Sequence, residues 1–322
     1  MNTDTYPRLL GDVGGTNARF AWQAHAGALL GDIAVYRCAD HASLHDAISH
    51  YLHSHALPTP QACGIGIANP ITGDAVRMTN HHWSFSIAAL QRELGVGRLV
   101  VINDFAALAL SLPLLAAQEL RPIGGGQAVG GATLAVLGAG TGLGVSGLVP
   151  GANGQWTAIT GEGGHVTLAA ADRQEAQAIA LLHERFGHAS AERALSGPGL
   201  VHLYQAAATL ADHIAQPLTP ADVIARARAG TDPLCRTAIA LFCSLLGNVA
   251  GNLALTLGAR GGVYIGGGIA PRLLPELLGS SFRNRFEGKG RFADYLSAIP
   301  TWVIDSSVPA ALLGASHALD PA

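Results

Sequence analysis

The chain has 322 residues, of which 49% are apolar and 13% charged, and its net charge is −3. This length allows two domains or one large one with ample core, and the composition is that of a folded, weakly charged protein. There is no basic excess of the kind that nucleic acid requires, no apolar run reaches the ~18 residues that span a bilayer, and the N-terminus lacks a basic stretch leading into an apolar one. Nucleic acid, membrane and secretory signal are therefore not expected, and a cytoplasmic location is. Cys38, Cys63, Cys235 and Cys243 show no CxxC spacing, which reads as free thiols in a reducing compartment without a disulfide framework or zinc site. Lys289 is the only lysine, so phosphate handling falls to backbone amides, arginine or a metal.

Apolar strand-like runs alternate with helical patterns along the whole chain, which predicts an α/β architecture. Residues 9–13, 18–22 and 33–37 read as a β-meander around the opening glycines. A helix with a serine N-cap is predicted over 43–55. CGIGIA (63–68) and RLVVI (98–102) read as buried strands, the second ending directly at Asn103-Asp104; a helix over 105–112 follows and is stopped by Pro113. The glycine-rich stretch 123–132 reads as a loop near a domain boundary, and 133–149 as strand, glycine turn, strand. From 172 to 257 the pattern is mostly helical, with a long apolar helix around 237–257. GGVYIGGGIAPRLL (261–274) reads as strand, glycine turn, then a helix beginning near Pro271, and TWVI with a tail helix over 309–318 closes the chain.

GDVGGTNAR places Asp12 at a strand end with Gly14, Gly15 and Thr16 in the turn after it. Glycines let successive amides converge on an anion, and a carboxylate beside such a nest makes sense with Mg²⁺ between it and a phosphate. A tight hairpin with a local Asp12 side-chain bond accounts for the same residues. GAGTGLG (138–144) repeats the logic without a carboxylate, as a loop that wraps a phosphate. It is not the dinucleotide fingerprint: counted from Gly138, Leu143 stands where the third glycine should fall, and a strand-like run follows. No GxxxxGK[ST] occurs. IGGG (265–268) would let backbone approach a base or phosphate, and three such loops in one chain are hard to explain as hairpins alone.

INDF (102–105) ends a strand with an amide and a carboxylate, where α/β proteins place ligands; Asp104 there suits a base in phosphoryl transfer, and equally a helix N-cap. In GEGGH (161–165), Glu162 and His165 suit bidentate bonding to neighbouring sugar hydroxyls, a half-built metal site being the other reading. Glu192 lies near a serine cap, where it could also be a first-turn dipole partner. His41, His45, His50, His53 and His55 cluster on and around the first helix, as a metal patch or a solvated histidine-rich face. Tyr264 and Trp83 read as packing residues.

Together GDVGGTNAR, PITGD, MTNHHWSFS, INDF, GAGTGLG, GEGGH, SAERALSGPG, GNLAL, GGVYIGGGI and GKGRF resemble, in order and over nearly the whole chain, the bacterial glucokinase family of the sugar kinase/actin-like ATPase superfamily. The resemblance implies an actin-like ATPase (ribonuclease H-like) fold of two α/β domains flanking an active-site cleft, residues 1–113 with about 305–322 forming the smaller and 114–304 the larger. It implies ATP-dependent phosphorylation of D-glucose at the 6-hydroxyl for glycolysis, by a homodimer using Mg²⁺ and no zinc. By the same resemblance Asp104 is the catalytic base and Asn103, Asp104, Glu162, His165 and Glu192 hold the sugar. ATP falls to Asp12, Gly14, Gly15 and Thr16, to Gly140, Thr141 and Gly142, and to Gly266, Gly267 and Gly268, with Asp12 reaching Mg²⁺ through water. A hexokinase of other sugar specificity, or a sugar-binding regulator with weak turnover, shares these features.

Overall fold

The opening glycine turn joins two strands that pair antiparallel from Arg8↔Gln23 to Val13↔Ala18, so the even-numbered residues of the first strand share one face of the sheet. The computed structural model describes residues 5–79, 81–151 and 154–320; Asn80, in the MTNHHWSFS segment, lies outside them. Its elements begin β1 (Arg8–Val13), β2 (Asn17–Gln23), β3 (Gly31–Arg37), α1 (Leu44–Ser54), β4 (Ala62–Ile67), β5 (Ala75–Arg77), β6 (Ser84–Ser86), α2 (Ile87–Leu94), β7 (Arg98–Asn103) and α3 (Asp104–Ser111). They continue β8 (Leu120–Pro122), β9 (Leu134–Ala139), β10 (Leu143–Pro150), β11 (Trp156–Ile159), α4 (Arg173–Phe186), α5 (Ala191–Ala194), α6 (Gly197–Leu210), α7 (Pro220–Ala229) and α8 (Pro233–Leu257). The last are β12 (Gly262–Gly266), α9 (Leu274–Leu278), α10 (Phe282–Glu287), α11 (Ala293–Ser297), β13 (Thr301–Ile304) and α12 (Ala310–His317).

The chain divides into two compact units: Met1–Ala116 with Gly151–Thr160 and Ser306–Ala322, and Ala117–Pro150 with Gly161–Asp305. In the first unit the sheet order is β3-β2-β1-β4-β7, antiparallel across β1–β3 and parallel from β1 through β4 to β7. One face packs Leu9, Val13, Phe20, Cys63 and Ile65 against Leu44, Ile48 and Tyr51 of α1. The other carries Leu10, Ala21 and Ala62 against Leu312 of α12 and Leu319 beyond it. Glycine sets how closely that second layer approaches. A Cβ at Gly64 would lie 2.3 Å from the Ala315 oxygen, and one at Gly314 would lie 1.6 Å from the Ala107 oxygen of α3. Arg8, 2% exposed, reaches from β1 to the same helix, donating from Nη1 to the Ser316 carbonyl at 2.9 Å and pairing through Nη2 with Asp320 at 2.8 Å. A buried guanidinium needs such partners, because its desolvation is otherwise uncompensated.

In the second unit β9 pairs antiparallel with β10 and parallel with β12, β12 runs parallel to β13, and β13 is antiparallel to β8. Its helical core centres on α8, capped by Asp232, whose carboxylate accepts from the Leu234 and Cys235 amides. α8 begins one turn earlier than the apolar pattern predicts, because Pro233 serves as N1 after its aspartate cap. By length and composition it could cross a membrane, against the expectation that no stretch reaches that length, but 78% of its apolar window is buried inside the protein. Glu175, 1% exposed, takes the Arg285 guanidinium at 2.9 Å and the Ala171 amide at 2.6 Å, fixing the start of α4 to α10. The sole lysine, Lys289, donates to the Asn248 carbonyl at 3.2 Å. The helix expected near Pro271 begins instead at Leu274. Pro275 has no N–H to give the Pro271 carbonyl, so residues before it form turns and the regular helix restarts with Pro275 in its first turn.

Two outcomes test this packing. Gly314→Ala is expected to lower stability by about 3 kcal/mol in urea unfolding, whereas Gly279→Ala, where a Cβ would come no closer than 3.7 Å to its neighbours, should change it little; equal effects would rule out the close approach. All four cysteines are buried, and burial pushes the thiols of Cys63, Cys235 and Cys243 up to about 12. The thiolate is the reactive form, so the native protein at pH 8 should resist a thiol reagent that titrates four cysteines after denaturation. Rapid native labelling would contradict it.

Candidate active site

Asp12 lies on the face of the first sheet that α3 and α12 cover, two residues along β1 from Leu10. Its register partners are Arg19 on β2 and Gly66 on β4. Arg19 Nη1 donates to Asp12 Oδ2 at 2.9 Å, so the side-chain partner of Asp12 is a guanidinium across the hairpin rather than the local backbone. Burial raises the Asp12 carboxyl above its ordinary range, with Arg19 opposing the shift. Oδ1 makes no hydrogen bond among the described residues. The turn beyond is pinned by Gly14 N–H to the Asn17 carbonyl at 2.9 Å and by the Cys38 amide on the Thr16 carbonyl at 2.9 Å. The amides of Gly15 and Thr16 have no acceptor among the described residues, which is what an anion cradle requires.

Asp104 stands one strand away on the same face. A Cβ at Gly66 would lie 3.5 Å from the Asp104 Cα and 3.1 Å from the Ala107 Cβ, so the missing side chain is what admits the start of α3 there. The N-cap of α3 is Asn103 and not Asp104: Asn103 Oδ1 accepts from the amides of Phe105 at 2.9 Å and Ala106 at 3.2 Å. Asp104 is the first helical residue, its Oδ1 accepting from the Phe105 amide at 2.9 Å. A carboxylate in a first turn is stabilised by the helix dipole. With its oxygen committed to capping, Asn103 keeps its NH₂ for a ligand, apart from a long 3.5 Å contact to the Asn69 carbonyl.

The second unit gathers its candidates around Leu143. Gly140 N–H closes the turn onto the Gly142 carbonyl at 2.8 Å, the Gly140 carbonyl accepts from Gly197 N–H at 2.8 Å, and the Leu143 amide donates to Glu192 Oε2 at 2.9 Å. Thr141 is exposed at the tip. Glu162 and His165 flank a short 3-10 turn, with His165 N–H on the Glu162 carbonyl at 3.0 Å, and both side chains are exposed. That turn sits directly on β10: a Cβ at Gly164 would lie 1.9 Å from the Leu143 oxygen. Gly266 ends β12 opposite Gly138, and Gly267, at φ +78°, brings its backbone so near Ala139 that a Cβ would meet that oxygen at 2.3 Å. Gly267 and Gly268 are exposed. Among the described residues no group of three or more His, Cys, Asp or Glu could hold a metal. His41 and His50 instead pack on Tyr36 and on each other, Trp83 is buried with Nε1 on the His41 carbonyl at 3.1 Å, and Tyr264 stacks on Trp302.

The family model for glucokinase matches residues 9–322. This chain belongs to the glucokinase family. It is 55% identical over 321 residues to a glucokinase of Aromatoleum aromaticum, a match that spans 99% of this chain and 96% of that protein. Among solved structures it is similar to a glucokinase from an Antarctic psychrotroph, with a TM-score of 0.86 and 36% identity over 97% of this chain and 98% of that one. It also matches a ROK family glucokinase from Streptomyces griseus in complex with glucose and AMPPNP, with a TM-score of 0.65 and 18% identity over 97% of this chain and 98% of that one. The fold is the actin-like ATPase fold.

Two residues of this glucokinase-family site escaped the sequence reading. Arg19 is the cross-strand partner of Asp12, a pairing that follows once the hairpin is centred between Val13 and Ala18. Asn69, 8% exposed at the end of β4, accepts on Oδ1 from the Thr79 amide at 3.1 Å and hydroxyl at 3.0 Å, and so fixes the loop beside Asn103. Its signal was an asparagine just ahead of PITGD, directly after a buried strand. Removing the α3 cap by Asn103→Ala should cost about 1 kcal/mol in urea unfolding, with Asn103→Asp losing much less because it keeps the acceptor. Equal losses would show that capping is not what Asn103 contributes to stability.

Proposed function

We propose that this chain transfers the γ-phosphoryl group of ATP to the 6-hydroxyl of D-glucose, giving glucose 6-phosphate and ADP, as a cytoplasmic homodimer at the entry to glycolysis. The observation that carries the reading is the carboxylate of Asp104 in the first turn of α3, at the carboxyl end of β7, with its Cα over Gly66 of β4, the register partner of Asp12 on β1. Membership of the glucokinase family over residues 9–322 supports the substrate pair.

In this reading Asp104 accepts the proton of the 6-hydroxyl while that oxygen bonds to the γ-phosphorus. The bond from phosphorus to the β,γ-bridging oxygen breaks as it does so, and ADP leaves with the electron pair. The NH₂ of Asn103 donates to a sugar hydroxyl, and Glu162, His165 and Glu192 take further hydroxyls, orienting the 6-oxygen. The Gly15 and Thr16 amides receive phosphate oxygens, as do the turn at Gly140, Thr141 and Gly142 and the backbone at Gly266, Gly267 and Gly268. A carboxylate whose charged form is disfavoured by burial, with one oxygen that makes no hydrogen bond among the described residues, fits the one-carboxylate coordination that Mg²⁺ takes when it accompanies a nucleotide. Asp12 would hold that ion, through water, and the ion would neutralise charge developing on the phosphates.

A coupled assay for sugar 6-phosphate over a panel of hexoses tests the reading. Asp104→Ala should lower kcat by about 10²–10⁴-fold while glucose still raises the melting temperature as in the wild type. Parallel loss of binding and turnover would make Asp104 structural. A wild-type protein that glucose stabilises but does not turn over would be a sensor, and turnover of a different hexose would correct the specificity.

A further inference from the structure

We infer that Glu192 couples the sugar and nucleotide halves of the reaction, one carboxylate oxygen anchoring the Gly140–Gly142 turn while the other is left for a sugar hydroxyl. The inference rests on the glucokinase reading for the identity of the two ligands and on the second unit's own geometry for the link. Glu192 Oε2 accepts from the Leu143 amide at 2.9 Å across 49 residues of chain. The bond is a built feature, since a Cβ at Gly142 would lie 2.4 Å from that oxygen and only glycine leaves the carboxylate room. Oε1 makes no hydrogen bond among the described residues. The residue is half-buried, and its own carbonyl accepts from Ser196 Oγ at 2.8 Å, which fixes its backbone. What remains adjustable is the side chain.

A carboxylate bonding to a backbone amide is a charge-assisted contact, about twice as strong as a neutral one. It orders the turn from one side, and the Gly197 N–H on the Gly140 carbonyl, at 2.8 Å, orders it from the other. Each ligand would use part of this frame. A phosphate gripping the turn amides fixes Leu143 and hence Glu192; a sugar hydroxyl on Oε1 fixes Glu192 and hence Leu143. The second ligand to arrive then meets a side chain and turn already ordered, so each raises the affinity of the other with no change of backbone fold. Reciprocity requires the two enhancements to be equal. A dipole partner in the first turn of α5, which the sequence equally allows, would produce no such link.

Two variants and two measurements test this on the full chain. Glu192→Ala removes the acceptor, and Glu192→Gln keeps a carbonyl oxygen that can take the Leu143 amide. Amide exchange at Leu143 in the ligand-free protein should quicken at least about tenfold in Glu192→Ala and stay near wild type in Glu192→Gln. Unchanged exchange in Glu192→Ala would overturn the proposal whatever the ligands prove to be. Titration calorimetry of AMPPNP with Mg²⁺, without and with saturating glucose, should show an enhancement of at least about fivefold in the wild type that vanishes in Glu192→Ala, together with weaker binding in the absence of sugar. Sugar-free AMPPNP affinity equal to wild type in Glu192→Ala would mean that Glu192 is a sugar ligand only, and would also overturn it. Failure of the glucokinase reading looks different: the wild type would then lack turnover in the hexose panel, with the Leu143 exchange pattern unaffected.

Discussion

The contact on which the first unit depends is the near-touching of α12, α3 and the sheet at Gly64, Gly66 and Gly314. A methyl group at Gly64 or Gly314 would sit inside a neighbouring carbonyl, and one at Gly66 would press on Ala107. Because packed interiors deform little, the position of α3 is set to within a fraction of an ångström by atoms that are missing. Asp104 is the first residue of that helix, so its place over β4 follows from the same absence. Asp12, on the next strand, shares the face. The C-terminal segment thus acts at the opposite end of the sequence from the turn it supports, and Arg8, held by Ser316 and Asp320, ties the two.

The second unit solves a different problem with similar means. Three loops far apart in sequence must be held without a large apolar core of their own, and backbone atoms at and beside Leu143 give each of them a fixed neighbour. The turn carrying Glu162 and His165 rests on its carbonyl, Glu192 takes its amide, and Gly267 lies against Ala139 at the end of the partner strand. Exposed polar side chains on a rigid backbone have what recognition needs: they are free to bond a ligand while their Cα positions are fixed. One hydrogen bond inside the Gly140–Leu143 turn and two that tie it to Gly197 and Glu192 make the phosphate candidate part of the scaffold rather than a mobile flap.

How much of this could be read from residues alone depended on range. The meander, the serine cap of α1, both buried parallel strands and the strand–turn–strand at 134–150 follow from alternation and glycine placement, which are local. Fold and family were legible because ten ordered segments carry them together. Reading failed where two segments compete for one role or meet through space. Asn103 and Asp104 both cap helices well, and both take the Phe105 amide; only the fold shows that the Ala106 amide goes to Asn103, which makes it the cap. Pro271 looked like a helix start until the missing N–H of Pro275, four residues on, is counted. The Glu192 bond to Leu143 leaves no trace in sequence spacing, since nothing in GAGTGLG or SAERALSGPG names the other.

The near absence of lysine joins these observations. A kinase must meet several phosphate charges, and the single lysine in this chain is held by Asn248 of α8. Backbone amides in glycine turns are weaker donors than ammonium groups, but they are fixed dipoles that need no reorganisation when charge moves, whereas a lysine stem must be ordered each time a ligand binds. A site built this way gains by stiffening its turns rather than by adding charge. The Asn17 and Cys38 bonds to the first turn and the Glu192 and Gly197 bonds to the second do that stiffening, and each is made by groups that would not touch the phosphates. On the proposed reading, affinity for nucleotide would depend on residues outside the contact surface, and Glu192, whose Oε2 takes the Leu143 amide, would be where the nucleotide and sugar demands meet.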